Sequence, residues 1–205
     1  MSKLYIVGIG PGSEEYLTLK AKNIVESSDI VIGSKRALDL FKTDKKIELN
    51  AKNMQNMVEE AVQLVKRGKS VALLSTGDPG FSGILKPILK LNEDIDIEVI
   101  PGISSVQLCA AKLKIPWDDA DLITLHGKGI SEHILDVIDN GKPTIILPNF
   151  KPAELADFLI KNGVNEERKV AICERLSYDD EKVLETSIKD ILEMEFSYMC
   201  VVVIY

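Results

Sequence analysis

Two α/β halves are what this sequence predicts, the first on a mostly parallel sheet and the second on a mixed sheet. Three observations predict them. Short apolar runs alternate with helical patterns from Lys3 to Leu113, as in parallel strands joined by helices. Ile115-Pro116-Trp117-Asp118-Asp119 then breaks the alternation. Beyond the break, two runs flank Ser177-Tyr178-Asp179-Asp180-Glu181, a hairpin signal that puts an antiparallel pair into the second half. The boundary is therefore set at 114/115, giving domains over 1–114 and 115–205. The 205 residues suffice for two cores of about 100 residues each.

Taken in order, Lys3 to Ile9 is a short buried strand running into Gly8-Ile9-Gly10-Pro11-Gly12. Thr18 to Ser27 has helical spacing. Asp29 to Ile32 is a strand closed by Gly33, Ser34 to Phe41 a helix, and Lys45 to Leu49 a strand. From Asn53 to Arg67, Met54, Met57, Val58, Ala61, Val62 and Val65 mark one helix face, and Gly68 ends it. Ser70 to Ser75 is a strand leading into Thr76-Gly77-Asp78-Pro79-Gly80. Gly83 to Leu91 reads as a helix that Pro87 should kink. Ile95 to Ile100 is a strand ending at Pro101-Gly102, followed by a small-residue helix over Ser104 to Leu113. In the second half, Leu122 to Leu125 and Thr144 to Leu147 read as strands. Glu132 to Ile138 and Pro152 to Lys161 read as helices. Lys169 to Leu176 pairs with Lys182 to Glu185, Ile188 to Met194 is a short helix, and Tyr198 to Tyr205 a final buried strand.

Composition excludes several classes. The formal net charge is −7, from 25 basic and 32 acidic residues, which disfavours nucleic acid as a partner. Residues 1–113 carry 15 basic and 14 acidic groups, and residues 114–205 carry 10 and 18, so the acidity sits in the second half. No run of about 20 apolar residues exists, which predicts no membrane span. The N-terminus lacks a signal-peptide pattern. Cys109, Cys173 and Cys200 lie far apart among apolar or small neighbours, with no metal-site spacing, as buried thiols in a cytoplasmic protein would.

Three glycine-containing loops end three strands of the first half: Gly8 to Ser13, Gly77 to Phe81, and Pro101 to Ser105. In an open parallel sheet ligands bind outside the carboxyl ends of the strands, so three such loops predict a binding edge. The first loop departs from a dinucleotide fingerprint. Its third glycine position is Ser13, and Asp29 starts the second strand where a ribose-binding acid should end it. It reads as a glycine turn or as a place where backbone approaches a ligand. Asp78 can accept hydrogen bonds from a ligand or simply form a turn. Ser104 and Ser105 can cap the helix that follows. His126 ends a strand near the expected interdomain cleft and is the candidate catalytic residue; His133, seven residues on, reads as a surface residue. No nucleophile elbow, carboxylate pair or metal site is visible.

These motifs, in this order, resemble the tetrapyrrole methylases: Val7-Gly8-Ile9-Gly10-Pro11-Gly12, then Gly77-Asp78-Pro79, then Pro101-Gly102-Ile103-Ser104-Ser105. The resemblance spans essentially the whole chain. Gly77 to Gly83, Val99 to Leu108, and Ile115 to Ala120 through Leu125-His126-Gly127-Lys128 narrow it to the branch that methylates C5 of a corrin precursor. Methylases of uroporphyrinogen and of other corrin carbons share the general motifs. The resemblance implies the tetrapyrrole methylase fold, with a ligand cleft between the two domains. It implies S-adenosylmethionine as cofactor, released as S-adenosylhomocysteine. The cofactor contacts it implies are Gly10, Pro11, Asp78, Phe81, Ser104, Ser105, Leu147 and Leu176. It places Gly8 and Gly12 toward a polycarboxylate tetrapyrrole, with Lys35, Arg36, Lys112 and Lys128 to receive carboxylates. Relatives often carry Arg where Lys128 stands, so charge is kept and bidentate geometry is not. A homodimer is implied. So is a separate decarboxylating C15-methyltransferase, since some relatives carry that domain fused.

Overall fold

A computed structural model of the chain describes residues 2–49, 52–125 and 128–205. It divides into two compact units, Met1–Ser104 and Ser105–Tyr205.

The first unit is an all-parallel sheet with helices on both faces. Its elements are β1 (Lys3–Gly8), α1 (Leu19–Ser27), β2 (Ile30–Gly33), α2 (Lys35–Asp39), β3 (Lys46–Glu48), α3 (Met54–Lys66), β4 (Ser70–Ser75), α4 (Leu85–Lys90) and β5 (Ile97–Ile100). The strand order is β3-β2-β4-β1-β5. Successive side chains of a strand point to opposite faces, and the two cores follow that alternation. Val7, Ala72 and Leu74 pack with Ala21 and Val25 of α1 and Ala37 and Leu38 of α2. Leu4, Ile6, Val71 and Leu73 pack on the other face with Val58, Ala61 and Val65 of α3 and Ile88 of α4. Neighbours β1 and β4 therefore send their chains to opposite faces. That makes the carboxyl ends of this pair the point where the connections part, the position at which open α/β sheets bind ligands.

The second unit opens with α5 (Ser105–Leu113), then β6 (Asp121–Thr124), α6 (His133–Ile138), β7 (Thr144–Leu147), α7 (Pro152–Lys161), β8 (Lys169–Glu174), β9 (Lys182–Ser187), α8 (Ile188–Ile191) and β10 (Cys200–Ile204). Its sheet order is β6-β7-β10-β8-β9. Strands β6 and β7 pair in parallel; β10 runs antiparallel to both β7 and β8, and β9 to β8. Ile146, Val170, Ile172, Val202 and Ile204 pack with α6, α7 and α8. The opposite face carries Ile145, Ala171, Cys173, Val201 and Val203, all buried. There α5 packs on β7 and β10, with Cys109 Sγ 3.2 Å from Cys173 Sγ.

The unit boundary after Ser104 thus precedes the expected 114/115 break. The reason is α5, whose apolar face belongs to the second sheet. Pro87 is the third residue of α4, where its missing N–H has no partner to lose, so the expected kink does not arise. Strand β8 stops at Glu174 because Arg175 (φ 48°) and Ser177 (φ 72°) turn left-handed. The helix expected over Ile188 to Met194 is the single turn α8, entered through a capping box of Ser187 and Asp190.

Candidate functional site

Backbone builds the first part of the site. The loops after β1, β4 and β5 leave three adjacent strands at one edge, and they bond to one another. Ile9 N donates to Ser75 O (3.0 Å) and Gly77 N to Gly10 O (2.8 Å), making a one-residue bridge between the first two loops. Asp78 ties in the third. Its Oδ2 accepts from Gly102 N at 3.1 Å, and its Oδ1 accepts from Gly80 N at 2.8 Å. A carboxylate offers about four acceptor positions, so each oxygen keeps capacity for a ligand donor.

The approach is too close for side chains. A Cβ on Gly102 would lie 2.3 Å from Gly77 O and 2.7 Å from the Gly8 carbonyl carbon, and one on Gly8 would lie 2.5 Å from Gly102 N. Gly10 adopts φ +76°, a left-handed conformation that a side chain disfavours, and a Cβ there would meet Tyr16 O at 2.8 Å. Tyr16 closes a short 3-10 turn, Glu14–Tyr16, that the sequence pattern did not suggest. Helix α1 starts only at Leu19, its N-terminus already capped by Thr18 Oγ1, which accepts from Ala21 N at 3.1 Å. The loop therefore lacks the direct glycine-to-helix junction on which a dinucleotide pyrophosphate would sit.

Around this cradle, Gly8, Gly10 and Pro11 are buried, Gly12, Asp78 and Phe81 half-buried, and Ser104 buried at the end of the β5 loop. Lys35 and Arg36 are exposed in the first turn of α2. That turn follows the carboxyl end of β2, beside β4, so both lie at the same sheet edge as the glycine loops. Gly77 and Gly102 emerge as shaping residues that motif spacing does not assign, because their role is contact with each other across three loops.

In the second unit β6, β7 and β8 point the same way, so their carboxyl ends share an edge. Leu147 ends β7 half-buried, its carbonyl accepting from Leu125 N at 3.0 Å. Leu176 is buried in the turn after β8, and Lys128 is exposed after β6, its amide donating to Leu125 O at 2.9 Å. Ser105 begins α5. Lys112 is exposed. It belongs to the last turn of α5 in the second unit, and its ammonium pairs with Glu181. Burial alone would raise the Glu181 carboxyl, but Lys112 and the Ser177 amide outweigh it and hold the group below its ordinary value. His126 and Gly127 lie outside the described residues.

Cys109, Cys173 and Cys200 are buried free thiols. The Cys173 partner and burial push the Cys109 thiol up, and burial pushes Cys200 up to about 12. Such thiols stay protonated near neutral pH. Among the described residues no three His, Cys, Asp or Glu side chains gather as a metal site, and no helix is long and apolar enough to cross a membrane.

Comparison with known proteins places this arrangement. Residues 3–192 match the family model of the tetrapyrrole (corrin/porphyrin) methylases. The chain belongs to this family. A Methanocaldococcus jannaschii protein named probable cobalt-precorrin-7 C(5)-methyltransferase is 50% identical, over 98% of this chain and 96% of its own length. Two solved methylases share the fold. The cobalamin biosynthesis precorrin-6Y methylase of Archaeoglobus fulgidus superposes with a TM-score of 0.75 at 25% identity, covering 100% of this chain and 98% of that one. The uroporphyrin-III C-methyl transferase of Thermus thermophilus, complexed with S-adenyl homocysteine, gives 0.81 at 20% identity, covering 98% and 96%. The ordered glycine motifs that carry the resemblance are the three loops of the first unit.

Proposed function

We propose that this methylase transfers a methyl group from S-adenosylmethionine to C5 of cobalt-precorrin-7 in cobalamin biosynthesis. The observation that carries the reading is the 50% identity, end to end, with the methanogen protein of that name. When bound, the cofactor supplies an electrophilic methyl group on its sulfonium sulfur.

The residues present fit such a group. Side chains are excluded at Gly8 and Gly102, where a Cβ would meet neighbouring backbone, so the three loops present backbone groups there, and Asp78 beside them keeps acceptor capacity. We assign Gly10, Pro11, Asp78, Phe81 and Ser104 of the first unit to the cofactor, with Ser105, Leu147 and Leu176 of the second. Asp78 and the loop backbone accept and donate hydrogen bonds at its polar end. Phe81, Leu147 and Leu176 supply apolar surface for its adenine. Gly8 and Gly12 face the macrocycle, and Lys35, Arg36 and Lys128 receive its carboxylates by charge-assisted hydrogen bonds.

A reduced tetrapyrrole carbon is electron-rich, so methylation needs no activated nucleophile from the protein. The chain's contribution is orientation, an effect worth on the order of 7–11 kcal/mol when two reactants are held in register. His126 takes the proton released afterwards. The same reading makes the enzyme a cytoplasmic homodimer.

The test is incubation with carbon-13-methyl-labelled S-adenosylmethionine and cobalt-precorrin-7, then location of the label by NMR. Label at C5 is expected; label at another ring carbon would overturn the position, and no transfer to any corrin precursor would overturn the class. In single-turnover assays His126→Ala should slow product formation about 10²-fold or more, as loss of a general base does. An unchanged rate would remove His126 from the mechanism.

A further inference from the structure

The connection between β8 and β9 is longer and stiffer than a hairpin requires. Two residues suffice to join antiparallel strands, yet seven, Arg175 to Glu181, lie between the paired residues Glu174 and Lys182. Buried Leu176 stands between two left-handed non-glycine residues, Arg175 and Ser177. A backbone of that kind persists only where its surroundings over-determine it.

Two groups do so. On the outside, Arg175 Nε lies 2.6 Å from Asp180 Oδ2, and its guanidinium stacks 4.8 Å from the Tyr178 ring centroid. On the inside, Glu181 Oε2 accepts from Ser177 N at 2.8 Å, and Glu181 Oε1 pairs with Lys112 of α5. The two carboxylates differ in setting: Glu181's side chain is 19% exposed and Asp180's 60%. Solvent screens the outer pair, and exposed pairs contribute little. Glu181 links the turn that carries Leu176 to the helix that begins at Ser105.

We propose that Glu181 is a positioning residue, fixing the Arg175–Glu181 turn against α5 so that Leu176 and Ser105 are preorganised for the cofactor. The proposal rests on the assignment of those two residues to S-adenosylmethionine. Glu181 itself touches neither cofactor nor reacting carbon. Its loss should therefore weaken cofactor binding and leave the methyl-transfer rate at saturation in place.

The experiment uses the full chain with S-adenosylhomocysteine as the titrated probe, followed by calorimetry, alongside kcat, the cofactor KM and the melting temperature. Glu181→Ala, which removes both the Ser177 and the Lys112 contact, should raise the S-adenosylhomocysteine Kd about tenfold. The cofactor KM should rise in parallel and kcat stay within about twofold. Lys112→Met, which keeps the Glu181–Ser177 bond, should raise Kd by a smaller factor, and Asp180→Asn should leave it within about twofold. A folded Glu181→Ala protein that binds the probe as wild type does would overturn the proposal. Should that variant not fold, an unchanged Kd in Lys112→Met would overturn it instead. Wild-type protein that binds no S-adenosylhomocysteine would defeat the cofactor assignment itself, and this inference with it.

Discussion

Gly102 and Asp78 show how much of this molecule is decided by single residues. Gly102→Ala must push a Cβ into two neighbouring loops at 2.3 and 2.7 Å, and the obstacles are backbone atoms that cannot swing aside. Overpacking of that kind costs about 1–3 kcal/mol, and at this chain length each kcal/mol lowers the melting temperature by about 2–4 °C. Gly129→Ala is the contrasting case. Nothing lies within 4 Å of a Cβ there, so only its left-handed φ of +73° resists, about 1–2 kcal/mol. Calorimetric melting of the two variants should rank Gly102→Ala as the more damaging, with a weakened S-adenosylhomocysteine affinity only in Gly102→Ala. The glycine motifs were legible in the sequence as loops at strand ends. Their packing against each other was not, because Gly8, Gly77 and Gly102 are far apart in the chain and their shared contact is a product of strand order.

At the level of elements, sequence pattern located the α-helices and strands among the described residues but not the 3-10 turn at Glu14–Tyr16, and end chemistry decided where the helices stopped. Helices α3 and α7 end at left-handed Gly68 and Gly163, each with a following amide bonded back into the last turn: Lys69 N to Leu64 O, and Val164 N to Leu159 O. Helix α5 ends in the same way, Ile115 N bonding Ala110 O at 2.9 Å, but Lys114 (φ 57°) holds the left-handed position. Lys114→Gly should therefore stabilise the protein by about 1 kcal/mol, seen as a higher melting temperature. Helix α8 depends on Asp190. Its carboxylate accepts from the Thr186 hydroxyl (2.5 Å), the Ser187 hydroxyl (2.7 Å) and the Ser187 amide (3.3 Å), and those bonds hold its carboxyl below the ordinary value of 3.8. Because the folded value is the lower one, this stabilisation is complete above about pH 4 and is lost as pH falls through the folded value. Melting temperature measured from pH 6 down to pH 3 should fall less steeply in Asp190→Asn than in wild type. The early stop of β8 and the missing kink at Pro87 escaped pattern reading, since a left-handed turn at Arg175 and a proline's place within a helix are settled by neighbours outside the apolar period.

Across the whole chain the charge is partitioned by unit. Residues 1–104 carry 14 basic and 14 acidic groups, and residues 105–205 carry 11 and 18, so the entire excess of −7 belongs to the second unit. A polycarboxylate meets no net repulsion from the unit that holds the glycine cradle, Lys35 and Arg36. Its capture should be salt-sensitive, because exposed charges are screened over about 8 Å at physiological ionic strength. Raising salt from 50 to 500 mM should increase the tetrapyrrole KM severalfold and leave the S-adenosylhomocysteine Kd within about twofold. The double variant Lys35→Ala, Arg36→Ala should show the higher KM at low salt and a flattened salt dependence. By itself the sequence determined the two α/β halves, the sheet types, the three glycine loops and the family, because these depend on local periodicity and on residues adjacent in the chain. Tertiary structure alone decided that α5 belongs to the second sheet, that Asp78 joins two loops, and that Lys112 answers to Glu181. Each is a contact between residues 24 or more positions apart, and such contacts exist only once strand order has brought their elements together.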